Sequence, residues 1–172
     1  MSGHAGHARH GQGFLRKLDL GAGALRLGMN LWPPFVGAGI HVLGIAPDFR
    51  SVKVELRMRW YNRNYVGTHF GGSLYAMTDP FFAVMLIKNL GRGYTVWDKA
   101  STIEYLRPGR GTVTASFILK QEQIAEALEM TAAGNKFEPT YRVEVVDHAG
   151  QVVATVDKTL YIRRLPGAAE LG

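Results

Sequence analysis

One carboxylate, Asp79, stands inside an apolar run. In "HFGGSLYAMTDPFFAVMLIKNL", His69 to Leu90, the other polar side chains after Ser73 are Thr78, Lys88, Asn89 and the Tyr75 hydroxyl. Placing a carboxylate among apolar neighbours costs free energy unless a cation neutralises it or chemistry uses it. Desolvation favours the protonated acid, which suits a general base for water, and the same group can attack an electrophile directly. The alternative is an Asp neutralised by Arg or Lys. Eight residues earlier, Gly71 and Gly72 precede the apolar run. Glycines at a helix start leave backbone N–H groups open to a carbonyl oxygen, the makings of an oxyanion site; they also serve a tight turn. Asn64 offers a further polar contact to that carbonyl or to water, or else sits in a strand-end turn.

Those residues belong to a chain of 172 amino acids, enough for one domain with a real core. With 47% hydrophobic and 20% charged residues it has a globular composition. Lys88 and Asn89 interrupt the longest apolar run, so no membrane span is expected. The start, MSGHAGHARHGQG, has no apolar signal core and there is no cysteine, which points to the cytoplasm and excludes disulfides and thiolate metal sites. A net charge of +6 favours anionic partners or serves solubility. Nucleic acid is disfavoured among those partners, since the aromatic residues lie in apolar runs rather than between basic ones.

Residues 1–13 read as a mobile tail, with His4, His7 and His10 spaced three apart but lacking the flanking ligands of a metal site. Residues 14–34 predict a helix or two, broken at Pro33 and Pro34. "SVKVELRMRW" alternates, with Val52, Val54, Leu56, Met58 and Trp60 on one face. "TVTASFIL" alternates through Val113, Ala115, Phe117 and Leu119, and "YRVEVVDHAGQVVATVDKTLYIRR" predicts two strands about a turn. "GIHVLGIA" and "YTVWDKASTIEYL" bring the count to about six strands, with a helical piece ending at Gly134. From Gly72 to Asn89 the pattern predicts one long helix, apolar all round and therefore buried, bent at Pro80 with the Ala76 carbonyl left free. The pattern as a whole is α+β: a curved antiparallel sheet wrapped around that helix.

A strand, then "NYVGTHFGGSLYAMTD", then a buried helix, resembles the acyl-CoA thioesterases of the hotdog fold, in their phenylacetyl-CoA thioesterase-like branch. The matching positions are Asn64, Gly67, Gly71, Gly72 and Asp79, and "IEYLRPG" resembles a strand end and proline turn of that fold. With "LWPPF", "GAGI" and "VWDKA", the chain is most similar to a bacterial family of uncharacterised hotdog proteins grouped with thioesterases. The resemblance implies one hotdog domain over 14–172 that hydrolyses acyl-CoA, with coenzyme A as part of the substrate and no other cofactor or metal. It implies Asp79, Asn64, Gly71 and Gly72 as catalytic. Where that branch has a His before the two glycines this chain has Phe70, with His69 one residue earlier, so both are expected at the substrate-binding helix start. His69 there either makes local hydrogen bonds or takes over a catalytic part.

Ten residues before Pro108, where related enzymes carry a Ser or Thr that helps hold water, stands Asp98. It is a second candidate catalytic carboxylate, sharing a proton with Asp79 or pairing with Lys99. Arg107 and Arg110, in "RPGRG", are candidates for the coenzyme A phosphates, or belong to a solvated turn. A hotdog dehydratase or hydratase and a non-catalytic acyl-CoA binding module are the alternative functions. Because Asp79 lies about 12 Å along a helix from Gly71, the two can meet one substrate only if they come from different subunits, which predicts a homodimer or a dimer of dimers.

Overall fold

The computed structural model describes residues 20–167; the expected tail and its histidines lie outside them. Two short helices come first, α1 (Ala22–Leu31) and α2 (Pro33–Ala38). The break falls at Trp32, because Pro33 and Pro34 open the second helix, where a proline's missing N–H costs nothing. Strands β1 (Ile40–Ile45) and β2 (Ser51–Arg57) form a hairpin. Then come α3 (Gly71–Ala76), α4 (Phe81–Leu90), β3 (Tyr94–Tyr105), β4 (Thr112–Ile118), α5 (Gln121–Thr131), β5 (Lys136–Phe137), β6 (Thr140–Asp147) and β7 (Val152–Arg164). No helix among the described residues is long and apolar enough to cross a membrane.

The strands make one curved, open antiparallel sheet in the order β1-β2-β4-β6-β7-β3, with short β5 paired to the end of β7. It therefore has seven strands rather than about six, since Lys136–Phe137 is too short for an alternation to show. The inner face is the alternating set expected: Val52, Val54, Leu56, Val113, Ala115, Phe117 and Leu119 are all buried. The pattern in β2 overshoots, however. The strand ends at Arg57, and Trp60 is 82% exposed in the loop that follows.

The long helix is two helices. It stops at Ala76 and restarts at Phe81, with Asp79 and the cis-linked Pro80 in the gap. Nor is the Ala76 carbonyl free, because the Asp79 N–H donates to it at 3.2 Å. Both halves bury side chains, Leu74 in the first and more in the second, where Phe81 packs on Phe35 and Phe117, and Phe82 on Phe117 and Tyr141. Since α3 and α4 connect β2 to β3, the gap carries Asp79 across the sheet toward β7 and β3.

The two sheet edges differ. Along β1 the Asn30 side chain donates to the Val42 carbonyl at 3.1 Å and accepts the Val42 N–H at 2.7 Å, and Arg26 donates to Leu43 O. An edge strand so covered cannot take another strand there. Replacing Asn30 by Ala strands both polar groups of buried Val42, and urea titration should show a loss of about 1–3 kcal/mol.

Candidate active site

A cleft of about 730 Å³ opens where α3 begins. Its lining includes Asn64, His69, Phe70, Gly71, Gly72, Arg107 and Arg110, all candidates named above, and contains no Asp or Glu. Asp79 and Asp98 are not part of it.

The cleft's floor is a braced loop. Asn64 donates to Thr68 Oγ1 at 2.8 Å and to His69 O at 3.1 Å, and accepts the N–H groups of Val66 and Thr68. Both amide protons and the carbonyl oxygen thus bond within the loop, so Asn64 lines the cleft and shapes it. His69 is 3% exposed, with Nε2 at 2.9 Å from Gly111 O and Nδ1 buried without a partner. Since a carbonyl can only accept, Nε2 carries the proton. Burial lowers the pKa of this ring, and the hydrogen bond to Gly111 offsets only part of that. His69 is therefore a neutral brace between the loop and the proline turn.

At the helix start, the first helical hydrogen bonds run from the Ser73 and Leu74 N–H groups to Phe70 O. Gly71 and Gly72 precede them, flanked by rings. A Cβ on Gly71 would lie 2.9 Å from the Tyr105 hydroxyl, and one on Gly72 only 2.4 Å from the Phe70 ring. Both requirements for glycine, a close approach and bare N–H groups, coexist here. Tyr105 also donates its hydroxyl proton to Gly71 O at 3.0 Å, a contact not foreseen from sequence. Arg107 and Arg110, in the same lining, are exposed; Arg107 donates to Gln151 and Arg110 to Gly67 O.

Asp79 is neither alone nor sunk in apolar surroundings. Its side chain is 43% exposed, and Oδ1 accepts from Lys158 Nζ at 2.8 Å. Lys158 is fully buried and lies 3.2 Å from Asp98 Oδ1 on its other side. Asp98 thus pairs with Lys158; Lys99, its sequence neighbour, turns outward to Glu138. The cause is a bulge in β3: the pairing slips between Asp98 and Ala100, so Lys99 is the extra residue and Asp98 keeps the inward direction. Burial raises the pKa of Asp98; Lys158 opposes this and Asp79 adds to it. For Lys158, burial is the largest influence and lowers its pKa, but the two carboxylates outweigh it and the net direction is up.

Lys158 escaped the sequence reading, although a signal was present. Along β7 the inward residues are Ala154, Val156, Lys158, Leu160 and Ile162, and a Lys on that apolar stripe must find anions.

The sheet wrapped on a broken central helix is the hotdog fold, and solved structures agree. A probable thioesterase of Pseudomonas aeruginosa superposes with a TM-score of 0.70 at 20% identity, over 81% of this chain and 93% of that one. A thioesterase of Haemophilus influenzae gives 0.62 at 16% identity, over 87% and 95%. The PaaI protein of E. coli, from its phenylacetic acid degradation operon, gives 0.56 at 20% identity, over 83% and 91%. No curated protein matches the chain significantly. By its sequence the chain belongs to the family described as a domain of unknown function, DUF4442, whose pattern it matches over residues 21–162.

The His69 environment has a measurable consequence. The folded ring resists protonation, whereas the unfolded ring takes a proton near the ordinary value of 6.5. Stability is therefore complete above about pH 6.5 and falls as the pH drops below it, until the folded ring also protonates. Urea midpoints at pH 7.5 and 5.5 should differ in this sense, and the difference should shrink in His69→Gln.

Proposed function

We propose that this protein hydrolyses acyl-CoA thioesters to the free acid and coenzyme A. The observation that carries the reading is the division of labour around the central helix. A positively lined cleft with two bare glycine N–H groups lies at one end, and a carboxylate held by a buried ammonium lies at the other. Arg107 and Arg110 suit phosphates, and the Gly71 and Gly72 N–H groups suit the oxyanion that forms when a thioester carbonyl is attacked. Asp79 keeps one oxygen on Lys158 and, with 43% of its side chain exposed, stays open to the reaction. It either takes a proton from the attacking water or attacks the carbonyl carbon itself, after which water releases the acid. In both routes the C–S bond breaks and the thiolate leaving group takes up a proton.

The active unit in this reading is a homodimer. Gly71 and Asp79 are separated by all of α3, about 9 Å of helix, while reacting atoms must come within about 3–3.5 Å. One substrate therefore draws the cleft from one protomer and Asp79 from its partner. The sheet edge at β3 supports this: among the described residues β3 pairs only with β7, and Trp97 and Tyr105 stay about half exposed along it, in contrast to the covered β1 edge. Pairing of two β3 strands would continue the sheet across a two-fold axis.

A thiol-release assay over short, aryl and long-chain acyl-CoAs tests the activity. Replacing Asp79 by Asn should lower kcat by roughly 100-fold or more, the usual scale of general-base loss; unchanged turnover by the purified variant would remove Asp79 from the mechanism. Changing Arg107 and Arg110 together to Ala should raise KM for acyl-CoA and leave kcat near wild type. An acyl-pantetheine lacking the nucleotide should not notice that change, and equal effects on both substrates would exclude the phosphate contact.

A further inference from the structure

We infer that Lys158 and Asp98 form a charge-balancing unit behind Asp79, in which Lys158 positions the Asp79 carboxylate and Asp98 remains as the counter-ion of Lys158 while Asp79 loses its charge in turnover. The inference rests on the reading of Asp79 as the reacting carboxylate. It is carried by geometry. Lys158 has no exposed side-chain surface, and its ammonium touches Asp79 at 2.8 Å and Asp98 at 3.2 Å. Three separate elements supply these groups: the gap between α3 and α4, strand β7, and the bulge of β3.

A single carboxylate partner would leave a difficulty. When Asp79 accepts a proton from water, or becomes acylated, its negative charge disappears. A fully buried ammonium without a counter-ion costs several kcal/mol, and that cost would oppose the chemical step. Asp98 removes it. Its side chain is 23% exposed against 43% for Asp79, so the more accessible carboxylate reacts and the more enclosed one stays. The unit carries two negative charges and one positive before the step, and is neutral after it.

Few other groups face the unit. The Tyr75 ring of α3 lies 5.3 Å from the Lys158 ammonium, a cation–π contact. Tyr141 of β6 is the cross-strand neighbour of Lys158, and burial, with Glu126 adding, pushes its phenol up to about 12, so it stays neutral. From helix α4 the uncharged ring of Phe82 packs on Tyr141. Among the described residues, Asp79 and Asp98 are the only charged groups that act on Lys158.

The two supporting residues should therefore pull the reaction in opposite directions. In Asp98→Asn the ammonium is left wholly to Asp79, which holds its negative charge more firmly. The acidic limb of the kcat–pH profile should move down by about one unit, with kcat lower by about ten-fold and KM unchanged. In Lys158→Met the favourable hydrogen bond is gone, and the same limb should move up. Asp98→Glu should return the limb toward wild type.

Carboxyl-carbon NMR titration of Asp79 in the same proteins reads the same shifts without any turnover. If wild type releases no thiol but the Asp79 midpoints still move in opposite directions, the charge-balancing unit stands and the hydrolytic reading falls. If wild type is active and both variants keep the wild-type limb and midpoint, Lys158 and Asp98 only hold the fold and the inference is overturned. Should Lys158→Met fail to fold, the downward shift in Asp98→Asn decides alone.

Discussion

A buried ammonium sets the terms for one half of this protein. Lys158 occupies a place on β7 where its neighbours on the same face are Val156 and Leu160. A charge there is tolerable only with anions in contact. Two otherwise odd features meet that demand. The central helix breaks where Asp79 reaches the ammonium, and β3 carries its extra residue at Lys99, directly after Asp98, which faces inward in step with Val96. A break and a bulge each weaken regular secondary structure locally. Both converge on one nitrogen atom.

The other half is organised by backbone polarity. Asn64, Thr68 and His69 tie the loop before α3 into a fixed shape and to the proline turn at Gly109 and Gly111. What this bracing delivers is a cleft lined by the two glycines of the helix start and by two arginines. The cleft holds no acid and the triad has a negative excess, so the two halves are electrostatically complementary. In the proposed function one half would take the anionic thioester and the other would activate water. In one chain they stand at opposite ends of α3, and that separation, more than any single residue, argues for a shared site.

The regular parts of the fold followed directly from residue patterns. Period-two alternation in β2 and β4 identifies their inner faces residue by residue, because a half-buried sheet admits little else. The irregular parts did not. An all-round apolar pattern from Leu74 to Leu90 conceals where a helix is interrupted, since both halves still bury their side chains. Alternation along β3 cannot reveal a bulge, because the extra residue shifts the phase and either Asp98 or Lys99 can face inward. Asp79 was found by its contrast with its neighbours, yet its partner lies 79 residues away. Only the placing of the gap between α3 and α4 beside β7 brings that partner within reach. Asn64 was singled out for a catalytic role, and its hydrogen bonds within the loop could not be read from its position.

The claim that most depends on everything else is that each site combines one protomer's cleft with its partner's Asp79, and subunit complementation tests it most directly. Asn64→Ala, which collapses the cleft loop, and Asp79→Asn should each be inactive alone. If the two are unfolded and refolded together, random pairing makes about half of the dimers mixed, and each mixed dimer regains one intact site of two. About a quarter of wild-type thiol release should then return. If native mass spectrometry shows the mixed dimers and the mixture stays inactive, each site lies within one chain and the shared-site account is wrong.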